Sequence, residues 1–210
     1  MEKELFDVIV NKGLSYEQYT KLTTEQIEDS QKKVLSEAEK GLLDYAVLNQ
    51  HRSKRLDKTY SVSDSLNSTL HKVTVPQVWM VITENWCGDS AQSLPVLAKI
   101  ASVNPLIQLK IVLRDENPEI MDKYLTNGTK SIPVMVAFSN DGDELFKWGP
   151  RPEGAVKVIQ QAKAEGLEKE KMYERLHAWY AKDKGKEIES EFGILLEPFT
   201  VDKSHNKLNP

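Results

Sequence analysis

The chain has 210 residues, a formal net charge of −4, and a composition 40% hydrophobic and 29% charged. This is a charge-rich globular chain, long enough for one packed core with additions. The acidic balance argues against a nucleic-acid surface, no apolar run approaches the ~20 residues that span a bilayer, and a single cysteine forms no internal disulfide. The segment Met1 to Asp7 lacks the basic and apolar stretches of a secretory leader, so with Met1 as the start a reducing cytoplasm is expected.

Residues 1–74 contain no proline and read as a helical N-terminal extension. The strongest periodicity runs from Ser30 to Gln50, with Leu35, Ala38, Leu42, Tyr45 and Ala46 at helical spacing. Tyr16 to Ile27 and the stretch after Ser63, carrying Leu66 and Leu70, are shorter helical segments. The run His51-Arg52-Ser53-Lys54-Arg55 reads as a solvated helix end or, alternatively, as an anion site.

Residues 75–165 change texture and read as one α/β domain. Val78 to Thr83 is a strand, Ser90 to Ser102 a helix interrupted by Pro95, and Leu106 to Leu113 a second strand. A helix follows Asn117-Pro118 and reaches Leu125. Ile132 to Phe138 is a third strand, Asn140-Asp141-Gly142-Asp143 a hairpin turn, and Glu144 to Trp148 the return strand, before a helix from Glu153 to Ala164. The order β-α-β-α-β-β-α implies a parallel pair with an antiparallel hairpin at one side. Residues 166–210 read as a C-terminal helix, with Met172, Leu176, Trp179 and Tyr180 as a packing stripe and Gly185 as its stop. Phe192 to Leu196 is a short docked segment, and the last ten residues are a loose polar tail.

The lone thiol carries the chemistry. Cys87 sits in Trp86-Cys87-Gly88-Asp89-Ser90, after a strand and at the start of a helix. Free N–H groups and the positive helix end at that position favour thiolate, so a lowered pKa is expected. Asp89 works against it by charge. The histidines His51, His71, His177 and His205 are scattered, with no metal-ligand spacing. Asp115 reads as a helix-start acid, and Arg151, between Pro150 and Pro152, as the best anion-recognising side chain.

The stretch from Val78 to Ala164 resembles thioredoxin. Trp86-Cys87-Gly88 matches that family's start of the active-site helix; Pro95, eight residues past Cys87, matches its kinking proline; Asp115-Glu116-Asn117-Pro118 resembles the segment after the next strand. Ser131-Ile132-Pro133 matches the loop carrying a cis-proline opposite the thiol, and Gly149 follows in register. The resemblance implies a thioredoxin-like three-layer α/β fold with a mixed central sheet and helical extensions at both ends, in a bacterial thioredoxin-family protein. It also implies a groove where Trp86, Gly88, Asp89, Ile132, Pro133 and Arg151 meet a peptide lying over Cys87.

The departures matter as much. Ser90 stands where thioredoxins carry the resolving cysteine, so no dithiol cycle is possible within one chain. The family's buried acid falls on Val81 and its partner lysine on Ile111. Three readings follow. Cys87 is the nucleophile of a monothiol thiol-disulfide oxidoreductase, with Ser90 bonding the thiolate and an external thiol such as glutathione as co-substrate. Alternatively, the domain is a redox-silent binding module. The third borrows from monothiol glutaredoxins, whose motif resembles Cys87-Gly88-Asp89-Ser90, and would carry an iron–sulfur cluster; their downstream glutathione signature is missing. Expected partners are peptide or protein thiols and disulfides, with no nucleic acid, membrane or metal.

Overall fold

The computed structural model describes residues 1–200; the polar tail expected over the last ten residues lies outside them. Four helices come first: α1 (Lys3–Lys12), α2 (Tyr16–Gln31), α3 (Glu37–Thr59) and α4 (Asp64–His71). The stretch Ser30 to Gln50 is therefore not one helix. It breaks before Ser36, which caps α3 through a reciprocal capping box with Glu39. His51 to Arg55 lies inside α3 rather than at its end. The order then runs β1 (Gln77–Thr83), α5 (Gly88–Ser102), β2 (Ile107–Leu113), α6 (Pro118–Met121), β3 (Val134–Ser139), β4 (Glu144–Trp148), α7 (Glu153–Ala164), α8 (Lys169–Asp183) and α9 (Lys186–Leu196). The helix expected to reach Leu125 is a single turn, and the short docked segment around Phe192 is a full helix.

The sheet order is β2-β1-β3-β4, with β1 parallel to β2 and antiparallel to β3. Helices cover both faces, so β1 is buried at every residue and shows no apolar–polar alternation. Trp79 and Val81 join one core with α4, α5 and α9; Val78, Met80 and Ile82 join another with Phe6 and Ile9 of α1 and with Ile120 and Met121. This mixed sheet between helical layers is the expected α/β thioredoxin-like fold. Val81 and Ile111 are register partners on β1 and β2, both buried, which makes an apolar pair where the family places an acid and a lysine. On the outer side of β2, Leu14 and Ile111 exchange two backbone hydrogen bonds of 2.8 Å, so the link between α1 and α2 shields part of that edge.

The extensions are tied in by hydrogen bonds that local sequence does not announce. α5 runs unbroken across Pro95, whose missing N–H leaves the Ala91 carbonyl without its helical donor. Ser53 of α3 supplies a hydroxyl to that carbonyl at 3.2 Å. Lys99 of α5 donates to the carbonyls of Asp57 and Tyr60 at the end of α3. The first N–H groups of α7, which has no side-chain cap of its own, donate to Glu191 and Glu187 of α9, each at 2.7 Å.

Candidate functional site

Cys87 is the N-cap of α5 and is only 8% exposed. Its thiol donates to the Ile132 carbonyl at 3.3 Å, and the Ser90 N–H donates to its sulfur at 3.5 Å. The two motifs, 45 residues apart in the chain, thus meet across one site. The Ile132–Pro133 peptide is cis, and so is Gly149–Pro150, which the sequence did not flag. The second bend brings Gly149 against the Pro133 carbonyl so closely that no side chain fits between them.

The thiol is not acidified. Burial pushes the Cys87 pKa up, the Asp89 carboxylate pushes it further, and contacts with Ser90 and the Asp89 N–H only partly offset them. The lowered pKa expected from the helix start is therefore corrected: desolvation of the charged form outweighs the helix end. Ser90 is buried, and its hydroxyl makes no hydrogen bond among the described residues.

Asp89 and Arg151 both line the cleft beside Cys87 and are paired with each other there. Asp89 is 6% exposed; Arg151 grips it through Nε at 2.9 Å and a second nitrogen at 2.6 Å, and the Tyr180 hydroxyl of α8 donates to the same carboxylate at 2.9 Å. Arg151 is thus occupied by an internal anion rather than left open for a ligand. Trp86 borders the cleft beneath the Arg114 guanidinium, 4.6 Å from its ring centroid. Gly88 is crowded by His177 and Arg52. Pro133 is buried behind Ile132, and Pro150 rather than Pro133 borders the cleft. Asp115 is spent on Arg114 at 2.8 Å.

The cleft over Cys87 has a volume of about 810 Å³. Its walls come from α3 (Leu42, Tyr45, Arg52), the Ile132 loop and α8 (Tyr173, His177). Leu42 and Tyr45, part of the helical period read between Ser30 and Gln50, are 50% and 58% exposed. The sequence reading missed His177. Its spacing of four from Tyr173 and three from Tyr180 was the available signal, and the three rings follow one another along α8. Burial, then repulsion from Arg52 and Arg151, lowers the His177 pKa to about 4. The folded state thus favours the neutral ring. The resulting stability is complete above the ordinary pKa near 6.5 and is lost as pH falls through about 4. Because the ring is partly exposed, we expect a loss of about 2 kcal/mol from this group over that window. Denaturant unfolding at pH 7 and pH 4 checks this, and His177→Phe should remove that share of the slope.

Among the described residues no group of three or more His, Cys, Asp or Glu could hold a metal ion, and no helix is long and apolar enough to cross a membrane. No curated protein matches the chain. Among solved structures the fold is similar to a protein of unknown function from Pseudomonas aeruginosa, at 17% identity and TM-score 0.55, covering 72% of this chain and 85% of that one. It is also similar to an HIV epitope-scaffold, at 14% identity and TM-score 0.62, covering 94% and 98%. The thioredoxin family model matches residues 35–163, more than half of the chain, and takes in α3 and α4 as well as the sheet. With that match lying over the four-stranded sheet and the helix that starts at Cys87, the chain belongs to the thioredoxin family.

Proposed function

We propose that the protein carries out single-thiol disulfide exchange at Cys87. The observation that supports this most is the meeting of the Cys87 sulfur and the Ile132 carbonyl in an open cleft. Cys87 loses its proton to solvent, and the thiolate attacks one sulfur of a disulfide RSSR. A bond forms between Cys87 and that sulfur, and the other half leaves as a thiolate and takes up a proton. A small external thiol of the glutathione class then attacks the mixed disulfide, forms a new S–S bond with R, and returns Cys87 as thiolate. Trp86 and Ile132 border the bound group, and the Ser90 N–H stabilises the leaving Cys87 sulfur.

A raised thiol pKa makes this chemistry base-driven. Between pH 8 and pH 9 a peptide thiol of pKa ~8.5 gains about threefold in thiolate, whereas a thiol whose pKa burial has raised gains by a larger factor, toward a limit of about tenfold. We expect the Cys87 alkylation rate and the rate of glutathione-coupled disulfide exchange both to rise by the larger factor, and Cys87→Ser to abolish both. A folded protein inert at pH 9 would remove the exchange reading. It would favour the second one, a redox-silent binding module, which the burial and raised pKa of Cys87 support.

A further inference from the structure

We propose that Arg52 of α3 recognises a carboxylate on a small substrate held over Cys87, so that the cleft selects anionic disulfides and thiols. This rests on the reading of Cys87 as the reacting thiol and names the substrate class. The other arginines and the Ile132-loop lysine of the cleft have carboxylate partners: Arg151 pairs with Asp89, Arg114 with Asp115, and Lys130 with Asp122. Among the described residues Arg52 has none. Its only hydrogen bond among those residues, 2.9 Å from one terminal nitrogen to Asn49 Oδ1, leaves most of its donors unspent.

Arg52 is also held in place. Asn49 is 3% exposed and donates to the Asn85 carbonyl at 3.1 Å, just before Trp86. Through Asn49 the guanidinium is fixed to the loop that carries the thiol. A Cβ at Gly88 would lie 3.5 Å from the Arg52 terminal nitrogen, which puts the guanidinium beside the residue that follows Cys87. His177, beside it against Gly88, carries no negative charge in either protonation state and so does not pair with the guanidinium. Lys169, at the start of α8, adds on another wall an exposed cation that has no ion pair among the described residues. The acids on that wall are Glu170 and Glu174, the latter paired with Lys171. A planar guanidinium with free donors suits a carboxylate. A cleft of about 810 Å³ suits a ligand of tripeptide size.

The test is binding, kept separate from turnover. Full-length Cys87→Ser protein is titrated by calorimetry with S-methylglutathione and with its dimethyl ester. We expect the acid to bind roughly tenfold more tightly, as one charge-assisted contact allows. Arg52→Gln should erase that preference, and Arg52→Lys should keep part of it, with melting temperatures verifying the fold. No preference for the acid, or a preference that survives in Arg52→Gln, overturns the proposal. Arg52-dependent binding of an acidic peptide but not of S-methylglutathione overturns the small-ligand assignment. A preference that is present and lost as expected, in a protein whose Cys87 exchanges no disulfide, leaves Arg52 as an anion site and removes the exchange reading alone.

Discussion

Replacing Phe192 by alanine is expected to lower the unfolding free energy by about 4 kcal/mol, the cost of removing a large buried aromatic that its surroundings cannot refill. Phe192 is fully buried. Its ring centroid lies 5.2 Å from that of Trp79, 5.9 Å from Trp148 and 6.1 Å from Phe146, so it closes an aromatic cluster on the sheet. Its helix also presents Ile188 and Leu196 to the same core. Glu187 and Glu191 of that helix hold the first N–H groups of α7. A loosened α9 should therefore weaken α7 as well, and hydrogen exchange at Glu153 and Gly154 should rise with the loss in stability. A loss below about 1 kcal/mol would show that α9 docks independently of this cluster.

Truncating Asp89 to alanine is expected to cost about 3 kcal/mol, because it leaves the partly buried Arg151 guanidinium and the buried Tyr180 hydroxyl without their acceptor. Three segments depend on that carboxylate: the start of α5, the Gly149–Pro150 bend and α8. Replacing Arg151 by methionine in the same protein should recover part of the loss, since the stranded charge goes with it. The thiol should respond in the opposite sense from stability. Asp89 is the second cause of the raised Cys87 pKa, so its removal shifts the pKa downward and should speed alkylation at pH 8. Slower alkylation in a folded Asp89→Ala protein would mean that the carboxylate supports the reactive form instead of opposing it.

These networks mark the boundary between what is local and what is not. β4, α7 and the Asp141-Gly142 turn fall where composition and spacing put them. Each follows from nearest-neighbour rules: apolar residues of matching period, a left-handed glycine, a proline before a helix. Arg52 lay within a run already read as a possible anion site, but only the packing of α3 along α5 sets it beside Gly88. Leu42 and Tyr45 carried a helical period and yet face the cleft, because α3 turns Ala46, Asn49 and Leu56 inward instead. Periodicity reports that a helix has an apolar side; it does not report how wide a surface the neighbours will cover.

The sequence by itself determined the α/β order, the family and the position of the single thiol, since each is written in contiguous or regularly spaced residues. Only the tertiary structure decided the state of that thiol and the company it keeps. Asp89 finds Arg151 across 62 residues and Tyr180 across 91. The acidity of Cys87 is set by how much water the surrounding segments remove and by the carboxylate left beside it. Desolvation and charge act through space, and the distances that govern them exist only once the chain has closed on itself.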